Sequence, residues 1–88
     1  MSIGRRSRNA TYAPTWKTYA ALAAVDCIAD SPDGATCARK VTLLAAGNLT
    51  VLKDCDGVDK PITGAPANYM HDADVSAVTC SVAFVVSW

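Results

Sequence analysis

Residues 78–88 read VTCSVAFVVSW. Val78, Cys80, Val82, Phe84, Val86 and Trp88 fall on one side of an extended chain, and Thr79, Ser81, Ala83, Val85 and Ser87 fall on the other. Side chains of a strand alternate faces, so this unbroken period of two predicts a strand with one bulky apolar face and one smaller, mixed face. Upstream, residues 39–57 read RKVTLLAAGNLTVLKDCDG. Val41 and Leu43 alternate with Thr42 and Leu44, and Leu49 and Val51 with Thr50 and Leu52. Ala45-Ala46-Gly47-Asn48 between them can turn the chain, so the stretch predicts a β-hairpin.

Working outward, Ser31-Pro32-Asp33-Gly34 and Asp54-Cys55-Asp56-Gly57 are turns, because Pro presets φ and Gly permits positive φ. Pro61-Ile62-Thr63 predicts a short edge strand, where Pro is tolerated, followed by a loop over Gly64-Ala65-Pro66-Ala67-Asn68. Residues 69–77 predict the strand before the last one. Thr18–Ala29 suits either one short helix or a buried strand. Residues 1–15 hold Ser2, Gly4, Ser7, Asn9, Thr11 and Pro14 without periodicity and predict an extended arm. Five or six short strands with frequent turns predict a small antiparallel β-sandwich or barrel. The expected organisation is a basic arm over 1–17 and one small β domain over 18–88.

Composition supports that class. The chain has 88 residues, enough for one small core, and 51% of them are apolar. Every acid is Asp; Glu and Gln, which populate helix interiors, are absent. The sixteen alanines pull toward helix, against the strand-favouring Val and Thr. No window approaches the ~18–20 apolar residues that cross a bilayer as a helix. Arg5-Arg6 precedes the apolar run Tyr19–Val25, but that run is shorter than most secretory cores and Asp26 ends it, so an uncleaved cytosolic product is expected.

Charge is unevenly placed. Residues 1–17 carry Arg5, Arg6, Arg8 and Lys17 and no acid, a charge of +4, while residues 18–88 carry −4. Four basic residues lack the density that holds nucleic acid at physiological salt. The arm is therefore expected to dock on a protein surface, with Arg5, Arg6, Arg8, Tyr12, Trp16 and Lys17 as its interface residues.

Candidate chemistry is sparse. Cys27, Cys37, Cys55 and Cys80 include no CxxC pair, and His71 is nine residues from the nearest of them, which argues against zinc. They are read as buried thiols or as disulfides. Of three possible pairings, one would join Cys27 to Cys37 around the Ser31–Gly34 turn and Cys55 to Cys80 on the last strand. Disulfides would imply a particle that matures or persists outside the cytoplasm. Asp54-x-Asp56-Gly57-x-Asp59 resembles a fragment of a calcium loop but lacks the full EF-hand pattern, and an Asp-Gly turn is the simpler reading. His71-Asp72-Ala73-Asp74 has no nucleophile placed with it by any motif. Asn9-Ala10-Thr11 and Asn48-Leu49-Thr50 match the glycosylation sequon, which is frequent by chance. No catalytic, metal or cofactor residue is expected.

The order of four segments resembles a known family. Asp30-Ser31-Pro32-Asp33, Ala38-Arg39-Lys40-Val41-Thr42-Leu43, Ala45-Ala46-Gly47-Asn48-Leu49-Thr50-Val51, and Pro61-Ile62-Thr63 with its Gly/Pro loop are similar to the spike-base proteins on heads of tailed phages and gene transfer agents. The resemblance covers roughly residues 20–85 and is strongest over Ala38–Val51. The family's Gly-containing turn before the last strand is replaced here by Asp74-Val75-Ser76-Ala77-Val78-Thr79, and the cysteines are a further departure. The resemblance implies a non-enzymatic virion head protein: a homo-oligomeric base, with a pentamer favoured, that anchors a spike or fibre and contacts the major capsid protein. A capsid cement or decoration protein, a minor capsid protein and a tail adaptor are the nearest alternatives. A secreted, disulfide-stabilised binding module with calcium at Asp54, Asp56 and Asp59 is the alternative of another class.

Overall fold

A computed structural model describes residues 15–88 of the chain. It is an all-β sandwich, with no helix among the described residues. Eight strands are present among the described residues: β1 (Trp16–Tyr19), β2 (Val25–Asp26), β3 (Lys40–Leu43), β4 (Gly47–Lys53), β5 (Ile62–Ala65), β6 (Met70–His71), β7 (Ala77–Cys80) and β8 (Phe84–Ser87). They form two four-stranded antiparallel sheets, ordered β1-β8-β3-β6 and β2-β7-β4-β5.

The two orders correspond position by position. Each position is filled by strands consecutive in sequence: β1 and β2, β8 and β7, β3 and β4, β6 and β5. The sandwich is therefore four arches laid side by side, each contributing one leg to each sheet. This corrects the hairpin expected over residues 39–57. β3 pairs with β8 and β6, β4 pairs with β7 and β5, and β3 does not pair with β4.

Burial explains the choice. Val41 and Leu43 on β3, and Leu49 and Leu52 on β4, are at most 2% exposed. A hairpin would set those residues side by side in one sheet. The arch sets them face to face, where both pairs leave water. Burying a Leu or Val side chain is worth ~1.5–3 kcal/mol, so the arch wins. The last strand obeys the same logic. The alternation from Val78 to Trp88 persists, but the strand bends at Ser81-Val82-Ala83 into β7 and β8. Bends of this kind carry strands from one packed sheet to the other.

The two central arches cross together. The Leu44 N–H donates to Ala83 O at 3.0 Å and the Ser81 N–H to Asn48 O at 2.9 Å, so backbone pairing continues through the bend. The register shifts between Leu49 and Val51, the mark of a β-bulge. Gly47 lies at the crossing. A Cβ there would meet Ser81 Oγ and Val82 Cγ1 at 2.8 Å, and Ser81 Oγ is held as acceptor of the Asn48 N–H at 2.9 Å. Gly47→Ala should therefore cost about 1–3 kcal/mol through overpacking. Urea denaturation checks this, and an unchanged midpoint would show that the crossing is loose.

The core joins both sheets: Val25, Cys27, Val41, Leu43, Leu49, Leu52, Val78, Cys80, Phe84 and Val86 form one buried cluster with Ala38, Ala65 and Val75. β5 is the edge strand expected after Pro61, and the expected loop begins after Ala65. Of residues 69–77, Met70–His71 form β6, which flanks β3 instead of the last strand, and Ala77 opens β7. Thr18–Ala29 is neither a helix nor one strand: β1 and β2 flank a turn at Ala20–Ala24. Trp16 and Lys17, assigned above to the arm, are the first residues of β1, because pairing with Ser87 and Val86 brings them into the body.

Candidate interaction surface

The arches sort the charged residues. At one pole the chain turns through Ala20–Ala24, Leu44–Ala46, Pro66–Tyr69 and Ser81–Ala83, and none of these residues is charged. Hydrogen bonds hold this pole together: the Leu22 N–H to Cys80 O at 2.8 Å, the Leu43 N–H to Tyr69 O at 2.9 Å, and the Asn68 N–H to Leu43 O at 3.0 Å. At the opposite pole lie Asp26, Asp30 and Asp33, Arg39 and Lys40, Lys53 to Lys60, and Asp72 and Asp74. Thr15 is there too, its carbonyl accepting the Trp88 N–H at 2.8 Å.

The uncharged pole exposes apolar side chains. Leu22 is 70% exposed and Leu44 48%. Leu22 has φ +67°, a left-handed conformation disfavoured for any residue with a Cβ. Leu22 thus combines a strained backbone with an exposed apolar side chain. Leu22→Gly removes the strain but adds chain entropy, so it should raise stability by up to about 1 kcal/mol. If Leu22 serves an interface, the same variant weakens assembly. Thermal melting and native mass, taken together, separate the two effects.

Side-chain carboxylates cap the turns of the charged pole. Asp33 accepts bonds from the Thr36 hydroxyl at 2.6 Å, the Ala35 N–H at 2.9 Å and the Ser31 hydroxyl at 3.0 Å. These bonds lower its pKa to about 2, the Thr36 contact contributing most. A depressed folded pKa stabilises the fold above the usual carboxylate range, and that contribution is lost as pH falls through about 2. Asp33→Asn should therefore flatten the stability profile between about pH 4 and 2; a profile parallel to that of the parent would contradict these bonds. Gly34 and Gly57, with φ of +70° and +85°, complete the two expected turns.

The Asp54–Asp59 segment folds as an Asp-Gly turn. Asp54 Oδ1 accepts the N–H groups of Asp56 at 2.9 Å and Val58 at 3.0 Å, and Oδ2 lies 3.4 Å from Lys60 Nζ. The Val58 bond is the chief reason its pKa is lowered. Asp59 Oδ1 accepts the Leu52 N–H at 3.0 Å. These carboxylates hold backbone groups, and no metal-binding cluster of His, Cys, Asp or Glu occurs among the described residues.

Cys37 and Cys55 form a disulfide, while Cys27 and Cys80 are free and buried. The Cys27–Cys37 and Cys55–Cys80 pairing weighed above is thereby corrected. Cys27 and Cys80 point into the core, whereas the other two sit on neighbouring turns at the charged pole. Burial pushes the Cys27 thiol up to about 12 and the Cys80 thiol up to about 11. Both stay protonated at neutral pH and are poor nucleophiles.

His71 lies on β6 opposite Val41 and borders a cleft with Leu52, Lys53, Asp54, Lys60, Asp74 and Val75. The cleft is about 120 Å³, smaller than the ~300–1,000 Å³ of small-molecule pockets, and no Ser or Cys among the described residues lines it. In the second sequon Asn48 Oδ1 accepts the Gly64 N–H at 2.8 Å, so that side chain is engaged. Of the expected interface residues, Arg5, Arg6, Arg8 and Tyr12 lie outside the described residues, as does Asn9.

Trp16 and Lys17 take opposite sides of β1. Trp16 is 61% exposed. Lys17 turns back over the sandwich, donating to Asp30 O at 2.8 Å, with its ammonium 5.6 Å from the Trp88 ring. Tyr19 stacks on Phe84 at 5.5 Å, and its hydroxyl donates to Asp30 Oδ2 at 2.8 Å. Trp88 Nε1–H donates to Cys27 O at 2.8 Å, tying the last residue to the β2 leg.

Fold and surface together define a small all-β sandwich with one charged and one uncharged pole. Comparison with protein-family models, curated proteins and solved structures finds no match to the chain.

Proposed function

We propose that this chain is a non-enzymatic structural protein of a tailed-phage or gene-transfer-agent head, a homo-oligomeric base that anchors a spike or fibre and contacts the major capsid protein. The polarity of the sandwich carries the reading. A part seated between two others needs two unlike ends, and among the described residues an apolar, charge-free pole opposes a charged pole that includes Thr15, the first described residue. Uncharged surface suits a buried protein contact, because no charge need lose water there. The segment of strongest resemblance, Ala38–Val51, covers β3 and most of β4, an arch near the centre of the stack. The Cys37–Cys55 bond suits a particle that persists outside the cell.

Depletion of the chain during head assembly tests this. Heads should form but lack their spikes or fibres, and purified chain should bind back to them. Heads that carry spikes in its absence would overturn the reading. Spikes attached normally to heads that have become fragile would favour a cement protein instead.

A further inference from the structure

Sheet edges expose unpaired backbone groups that can receive another strand, and folded proteins usually blunt them. Three of the four edges among the described strands are blunted. β2 and β6 are two residues long. β5 begins beside Pro61, carries Gly64 at φ +76°, and has a register shift against β4. β1 differs: it holds four residues without Pro, Gly or bulge, and no described strand lies on its outer side.

The bond from the Trp88 N–H to Thr15 O fixes which groups are free. Backbone direction alternates along an antiparallel strand, so Lys17 and Tyr19 face β8 while the N–H and C=O of Trp16 and Thr18 face outward. Lys17, the charge that would guard this edge, is already turned back onto Asp30 O and Trp88. Trp16 stands exposed beside the free groups.

We infer that β1 is a strand-pairing surface and that its occupant is β1 of a second copy, antiparallel across a two-fold axis. Such pairing joins two four-stranded sheets into one of eight. The other described edges are blunted, so β1 is the described edge best able to match it, and a self-complementary edge gives a closed pair. Charge and chain length favour a second copy too. Residues 1–14 carry +3, and residues 15–88 carry −3. Fourteen residues reach up to about 46 Å when extended, so an arm leaving this edge can lie on a paired copy. The inference stands apart from the virion reading, since a five-fold ring would use other surfaces.

The test is the native mass of the full chain and of Thr18→Pro, by light scattering over a concentration series. Proline at Thr18 deletes an outward N–H and leaves the bonds to β8 in place. The expected result is a dimer that becomes a monomer in the variant, with an unchanged circular dichroism spectrum. A parent that is monomeric throughout, or an oligomer of any size that Thr18→Pro leaves intact, overturns the inference. Deleting residues 1–14 gives a second readout. A dimer that appears only after deletion would mean that the arm itself covers the edge, which also overturns the inference.

Discussion

Phe84→Ala lowers the unfolding free energy by about 3–5 kcal/mol. Phe84 is fully buried and is the largest of the wholly buried side chains. It starts β8, pairs with Tyr19 on one side and Leu43 on the other, and stacks on the Tyr19 ring at 5.5 Å. Three arches meet around it, so truncation leaves a cavity that no single arch can close by shifting. Chains of this size have a total stability of roughly 5–10 kcal/mol. The variant should thus lose about half of its stability and melt far below the parent. Calorimetry checks this, and a loss under about 1 kcal/mol would mean that the arches collapse independently. Phe84→Leu, closer in volume, should retain most of the stability.

Reducing the Cys37–Cys55 bond has the second large effect. The two cysteines are 18 residues apart, and closing a loop of that length stabilises a fold by about 3 kcal/mol through the unfolded chain. The crosslink bridges turns on either side of the β3–β4 arch, so reduction should loosen the charged pole first. Reduced protein should show a lower urea midpoint and two thiols that react without denaturant. Cys27 and Cys80, buried with raised pKa values, should react only on unfolding. Equal midpoints with and without reductant would contradict the crosslink. Four equally reactive thiols would contradict the placement of Cys27 and Cys80.

How much of this was legible in the sequence depends on distance along the chain. The C-terminal alternation predicts its facing correctly: Val78, Cys80, Phe84 and Val86 are all buried. The Asp-Gly turns and the edge strand after Pro61 follow from local backbone preferences and appear where expected. Pairing is different. Ala45–Asn48 can turn a hairpin or cross a sandwich, and local sequence does not distinguish them. What decides is Phe84 waiting opposite Leu43 and Cys80 opposite Leu49. Cysteine pairing failed for the same reason, since spacing does not reveal which thiols point into the core.

The poles were legible in principle. Residues 18–25, 41–52, 61–70 and 75–88 contain no charged residue, and the charged residues from Asp26 onward fall between these runs. Each uncharged run is one arch, rising in one sheet and descending in the other. A hairpin meander with a solvated outer face gives no reason for that spacing. Leu22 carried no comparable signal: its left-handed φ accompanies a backbone bond to the carbonyl of Cys80, a residue far away in the sequence.

The arches are the central claim, since they place the charged residues at one end and leave the other end apolar. Backbone proton contacts in the labelled protein, measured by nuclear magnetic resonance, test it most directly. The arches predict contacts between Leu43 and Phe84 and between Leu49 and Cys80, with none between the backbones of β3 and β4. A ladder of contacts joining Val41 and Leu43 to Leu49 and Val51 would restore the hairpin, and the two-poled sandwich would fall with it.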